Sequence, residues 1–186
     1  IRNDKGAFAI RYGGMGRVDQ LAEYFRLNKV RDYQEWRGGL ARQAIPSTNF
    51  IYADAQGNIA FHYNAAIPDR LPGYDWRGIL PGDQSALIRD RLVPFDAIPH
   101  YFNPASGYLY NANNTPFSAA GPGSDITSDS VPPEFGVELV MTNRARRAEK
   151  LLAAADPIGR AELERIKYDT VWEREGYVAY MLDGIA

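Results

Sequence analysis

Apolar and polar positions divide the chain into short elements. Ala7-Phe8-Ala9-Ile10-Arg11-Tyr12 predicts a strand, stopped by Gly13-Gly14. Between Val18 and Val30, the residues Val18, Leu21, Ala22, Phe25 and Leu27 recur at near-helical spacing and predict a helix over most of that stretch. A second helix starts at Asp32, whose carboxylate can accept from orphan backbone N–H groups while Glu35 reaches back. Its apolar stripe is Trp36, Leu40 and Ala44, weakened by Gly38-Gly39. Pro46-Ser47-Thr48 breaks it. The strongest hairpin signal follows: Asn49–Asp54, a turn at Ala55-Gln56-Gly57-Asn58, then Ile59–Ala65, with Gly57 where a tight turn needs positive φ.

Pro68 to Pro104 is dense in Pro, Gly and Asp and predicts a long ordered excursion, packed down by Trp76, Leu80, Leu87 and Phe95. Gly107–Asn114 reads as a strand with a polar end. Thr115–Pro133 reads as a loop. A long helix is expected from Phe135 to Ala155, with Val140, Ala148, Leu151 and Leu152 among its apolar residues. A shorter one begins near Ile158 and carries Leu163 and Ile166, and the tail from Trp172 is mostly helix-compatible. No repeat and no low-complexity segment interrupts the pattern.

Composition narrows the function classes. The 186 residues carry 21 Lys+Arg against 23 Asp+Glu, a net charge of −2, so no nucleic-acid partner is expected. With 45% hydrophobic and 24% charged residues the chain is an ordinary folded one. Zero Cys excludes disulfides, thiolate metal sites and a cysteine nucleophile, and two His exclude a His-rich metal site. No stretch reaches the roughly 18 apolar residues of a membrane span, so no membrane partner is expected. The chain opens on Ile1-Arg2-Asn3-Asp4 and closes on Met181 to Ala186, which we read as a piece of a longer protein.

Most chemistry-bearing motifs fail. Gly14-Met15-Gly16 lies where a dinucleotide loop would, but Asp19 stands in place of the third Gly, and a plain Gly turn is the simpler reading. Asp125 and Asp129 lack the further oxygen ligands of a calcium loop and read as a solvated turn. Asn113-Asn114-Thr115 matches a glycosylation sequon, a common accidental pattern. His62 and His100 read as ordinary histidines.

One set of phrases is specific. It comprises Ala44 through Asp54, Gly57-Asn58-Ile59, Tyr63-Asn64-Ala65, Pro68-Asp69-Arg70, Asn103 through Tyr108, and Asn111-Ala112-Asn113-Asn114-Thr115-Pro116. In this order and spacing they resemble the penicillin acylase family of N-terminal nucleophile hydrolases. Lys5 through Tyr12 and Phe25 through Lys29 look like its branch acting on acyl-homoserine lactones and on long-chain acyl amides such as aculeacin. The resemblance covers nearly the whole chain, and Tyr52-Ala53-Asp54 and Asn113-Asn114 are its most specific parts.

The resemblance implies an α+β fold, an antiparallel sheet with helices forming part of an αββα sandwich. The hairpin and the strand at 107–113 would share that sheet, and the helix from Phe135 would cover one face. It implies that residues 1–186 are a single domain or fragment from the interior of a β chain. In that family a periplasmic or secreted bacterial precursor cuts itself, and the new N-terminal Ser of the β chain attacks the acyl amide with its own α-amine as base. Residue 1 here is Ile, so no residue of this chain carries over as nucleophile, and the 186 residues alone are expected to be inert. The partners implied are the remaining α and β segments of the precursor and an N-acyl small molecule, such as an acyl-homoserine lactone or a β-lactam. No cofactor is implied, and calcium, held by some members through ligands mostly elsewhere, stays open for the full-length protein.

Two side chains carry over. Asn113 matches the Asn whose amide N–H donates to the oxyanion, a role suited to an uncharged donor that does not titrate. Its plainer alternative is a turn in which Asn113 and Asn114 precede Pro116. Arg144, in Asn143-Arg144-Ala145-Arg146-Arg147, matches the active-site Arg that orients that Asn. Its plainer alternative is a solvated basic face, with Arg146 and Arg147 paired to Glu149 or Glu138. Two rival functions remain: a binding module whose Tyr and Trp residues grip a sugar or peptide, and a structural or partner-binding domain carrying a degenerate acylase segment.

Overall fold

A computed structural model describes residues 1–155, 157–175 and 177–185. The elements run β1 (Arg2–Asn3), β2 (Gly6–Ala7), α1 (Gln20–Leu27), α2 (Tyr33–Leu40), β3 (Ser47–Ala53), β4 (Ile59–Ala65), β5 (His100–Phe102), α3 (Asn143–Ala153), α4 (Arg160–Lys167) and α5 (Tyr177–Asp183). Strands β1 and β2 pair antiparallel, and a second sheet has the order β3-β4-β5. Helices with antiparallel sheet make this the α+β class that the resemblance implied.

The hairpin forms as expected. Asp54 N donates to Asn58 O at 3.1 Å, and Ala66 N to Pro46 O at 2.8 Å, two bonds in one antiparallel register. Gly57 sits at φ +85°, the left-handed turn position its sequence context required. Asp54 locks the turn: its carboxylate accepts from Gln56 N, Asn58 N, Asn58 Nδ2 and Tyr52 Oη at 2.8–3.0 Å. These bonds, the one from the Asn58 side chain foremost, hold the Asp54 carboxyl below its ordinary pKa.

Two expectations fail for identifiable reasons. The third strand is His100–Phe102, and 107–113 forms no strand. Tyr63 N donates to Pro99 O and Asn103 N to Ile59 O, so β5 takes the open edge of β4. In the 107–113 stretch, Asx-type bonds from Asn111 and Asn114 hold the backbone in turns instead of a ladder. The long helix begins only at Asn143. Gly136 adopts φ +63° after a 3₁₀ turn, Glu138 bends the chain by accepting from Val140 N, and Thr142 Oγ1 caps the new helix by accepting from Ala145 N at 3.2 Å. Near the start, the strand expected over Ala7–Tyr12 does not form: the pair there is Arg2–Asn3 with Gly6–Ala7, which shares only Ala7 with it.

The chain divides into two compact units. In the first (Ile1–Phe50, His62–Pro99, Asp129–Val137), Asp32 caps α2 by accepting from Glu35 N at 2.8 Å, and Glu35 accepts in turn from Arg31 N. Trp36, Leu40, Ala44 and Ile45 are buried, and Trp36 lies edge-on to His62, which stacks on Phe95. Leu87 and Phe95 pack down, while Trp76 and Leu80 are half-buried. Helix α1 inverts the expected pattern: Glu23 is 1% exposed and bonded to Arg26, whereas Leu21 is 81% exposed. The second unit (Ile51–Phe61, His100–Ser128, Glu138–Ala186) buries Ala60, Phe61, Tyr101, Tyr110, Ala119, Ala120, Ala145 and Leu152.

Candidate active site

The loop 111–118 belongs to the second unit and is tied down from several sides. Tyr110 N donates to Ala119 O at 3.0 Å. Asp125 Oδ1 accepts from Ala119 N and Ala120 N at 2.9 and 2.8 Å. Tyr101 Oη donates to Pro116 O at 2.6 Å and accepts from Ile126 N at 2.9 Å. Burial pushes the Tyr101 hydroxyl up to about 12, so it stays a neutral donor. Asp125 is therefore a loop anchor, a role its solvated-turn reading missed. Its signal was Asp several residues beyond a Gly- and Ala-rich turn, too common to single out.

Within this loop the two Asn residues diverge. Asn114 is buried, and its side chain accepts from Ala112 N at 2.7 Å and donates to Thr115 O and Ser118 O at 3.1 and 2.6 Å. It makes the turn before Pro116. Asn113 is exposed and left-handed, at φ +59°, a conformation that costs an ordinary residue roughly 1–2 kcal/mol and that, glycine aside, Asn tolerates better than most. Its N–H is held by Asn111 Oδ1 at 3.0 Å.

Arg144 is the second residue of α3. Beside it, the Asn143 side chain bonds the Glu173 backbone through both of its polar atoms. Arg144 Nη2 donates to Asn113 Oδ1 at 2.7 Å. The two residues singled out in the sequence thus meet across 31 positions of chain. A guanidinium carries only donors, so the end of the Asn113 amide that faces it is the carbonyl. Nδ2 then points away, with no partner among the described residues, and a cation behind the carbonyl polarises the amide toward donation.

The alternatives to these roles fare unevenly. Arg147 belongs to a basic face, but it pairs with Asp169 at 2.8 and 2.9 Å and with Glu173 at 3.7 Å rather than with Glu149 or Glu138. That pairing holds the Asp169 carboxyl below its ordinary range. Arg144 has no ion-pair partner among the described residues, and a cation in the first turn of a helix opposes the helix dipole. Its position favours no helix; it favours the amide of Asn113. A cleft of about 370 Å³ beside Glu23, Leu27 and Gly39, and another of about 530 Å³ beside Tyr108, Leu152 and Pro157, are lined by neither Asn113 nor Arg144. The described residues gather no group of three or more His, Asp or Glu that could hold a metal ion. None of the described helices is long and apolar enough to cross a membrane. His62 is a buried ring in the aromatic core of the first unit, and Gly14 and Gly16 are left-handed turn residues.

Comparisons with known proteins agree on one lineage. The penicillin amidase family model matches residues 2–183. Penicillin G acylase of Escherichia coli is 40% identical over 99 residues, which is 53% of this chain and 12% of that protein. The thermostable penicillin G acylase from Alcaligenes faecalis, in its orthorhombic form, superposes with a TM-score of 0.60 at 26% identity, covering 80% of this chain and 24% of the other. The chain thus spans a small part of the length of both relatives. The antiparallel sheet, the helices and this structural likeness give it the α+β fold of N-terminal nucleophile hydrolases. With its match running through both the Asn113 loop and the Arg144 helix, the chain belongs to the penicillin amidase family.

Proposed function

We propose that this chain supplies the oxyanion-binding side of an acylase that hydrolyses the amide bond of N-acyl compounds. The observation that carries the reading is the 2.7 Å bond from Arg144 Nη2 to Asn113 Oδ1, which leaves Asn113 Nδ2 free to donate. In the whole protein, a Ser hydroxyl on another segment of the precursor attacks the acyl carbon, and its α-amine takes the proton. The carbonyl π pair moves onto oxygen, and Asn113 Nδ2–H donates to that developing anion. Collapse expels the amine, which leaves with the proton, and water then cleaves the acyl ester by the same sequence of transfers. Arg144 touches no reacting atom in this scheme; it holds the amide in its donating orientation.

The phrases at Lys5–Tyr12 and Phe25–Lys29 favour acyl-homoserine lactones or long-chain acyl amides as substrates, with β-lactams as the related class. A self-cleaving precursor in the periplasm or secreted from a bacterium completes the proposal. Asn113→Ala in the whole, processed protein tests it. Deleting an oxyanion donor lowers kcat by about 10²–10³-fold, with KM much less affected because the bond strengthens only as charge develops. Processing must first be verified by the appearance of the mature β chain. A processed Asn113→Ala protein with near-normal kcat removes Asn113 from the active site and favours a non-catalytic module.

A further inference from the structure

The candidate oxyanion donor stands in a backbone conformation it would not choose alone, and its neighbour's side chain spans it. Asn113 is left-handed and exposed, held by its own N–H and by Arg144. Asn114 is 2% exposed and binds backbone groups on both sides of Asn113: Ala112 N before it, Thr115 O and Ser118 O after it. One carboxamide therefore closes the chain around residue 113 with one acceptor and two donor contacts. No other side chain of this size offers that combination. Asp accepts but cannot donate, and Leu leaves all three backbone groups without their bonds. Asn111 adds a bond from the opposite side, accepting from Asn113 N at 3.0 Å.

We propose that Asn114, assisted by Asn111, is a positioning residue for catalysis: it fixes the Asn113 backbone so that the amide meets the oxyanion without reorganisation. The inference rests on Asn113 being the oxyanion donor. Asn114 acts through the loop rather than on the substrate, its carboxamide bonding the backbone of Ala112, Thr115 and Ser118. Its effect belongs to the chemical step rather than to binding, because a donor displaced by about 1 Å costs on the order of 10²-fold in rate.

A double-mutant cycle in the whole, processed protein tests this, with Asn114→Ala, Asn113→Ala and both together. Asn114→Ala lowers kcat by about 10- to 100-fold with KM within about threefold. In the Asn113→Ala background it lowers kcat no further, since there is no amide left to position. Losses that multiply in the double variant mark Asn114 as a structural residue and overturn the proposal, as does an unchanged kcat in Asn114→Ala. Should Asn113→Ala alone keep near-normal kcat, the underlying reading falls, a result distinct from the other two. If Asn114→Ala fails to accumulate folded, Asn111→Ala takes its place, because residue 111 is exposed. It lowers kcat by several-fold, again only when Asn113 is present, and a wild-type kcat there overturns the clip.

Discussion

Replacing Arg144 by Met separates catalysis from folding. The substitution removes one charge-assisted bond, Arg144 Nη2 to Asn113 Oδ1 at 2.7 Å, while keeping much of the side chain's length. Both side chains are exposed, so water replaces what the bond contributes to folding, and the loss stays within about 1 kcal/mol. Helix α3 regains a few tenths, about 0.3 kcal/mol or more, because a cation leaves its positive end. With Asn113 as the proposed oxyanion donor, catalysis responds differently. The donor survives but loses its fixed orientation and the polarising charge, so the penalty falls below the roughly 2.7–4 kcal/mol of deleting an oxyanion donor. A barrier increase of about 1.4–2.7 kcal/mol corresponds to a kcat loss of about 10- to 100-fold. Arg144→Lys lies between, keeping the charge without the planar fork. The assay is saturating-substrate amide hydrolysis by processed protein, paired with a thermal melt. A kcat within about twofold of wild type, or a melting drop that accounts for the lost activity, refutes the reasoning.

Two further outcomes concern the scaffold. Gly38 and Gly39 are adjacent in α2, but a Cβ at Gly38 meets open space whereas one at Gly39 comes within 2.7 Å of Leu27 Cδ2 and 3.1 Å of Glu23 Oε1. Urea unfolding should therefore show Gly38→Ala stabilising by about 0.5–1 kcal/mol and Gly39→Ala destabilising, with equal effects contradicting the packing. The Asp54 carboxyl is held low chiefly by the Asn58 side chain, so its contribution is complete above the usual carboxylate value of about 4 and is lost as pH falls through its depressed one. Melts from neutral to acid pH should lose that component in Asp54→Asn, and an unchanged acid limb would show that Asp54 does not carry it.

Short-range chemistry was legible wherever it was self-contained. Asp32 with Glu35, the hairpin around Gly57, and the apolar stripe of Trp36 and Leu40 each state their structure within a few residues. Strand β5 was not legible, because three residues beside Pro99 pair only when β4 presents an open edge. The stretch 107–113 misled for the opposite reason: its aromatic alternation suits a strand, but Asn111 and Asn114 bond the backbone locally and win. The delayed start of α3 follows from Gly136 and Thr142, a turn and a cap placed inside an otherwise apolar run. Helix α1 was found but its faces were reversed, since burying Glu23 requires Arg26 and Arg42, and Arg42 comes from outside the helix. At the site, the family resemblance of the phrases around them pointed to Asn113 and Arg144, whereas the side chains of Asn114 and Asp125 bond backbone groups that no side-chain pattern reveals.

The most direct test is the structure of the whole, processed protein carrying a boronic acid on its nucleophile, whose tetrahedral oxygen stands in for the oxyanion. Asn113 Nδ2 is expected about 2.7–3.1 Å from that oxygen, with Oδ1 still held by Arg144. An Asn113 that presents its carbonyl to the oxygen, or lies beyond hydrogen-bond reach of it, contradicts the assignment.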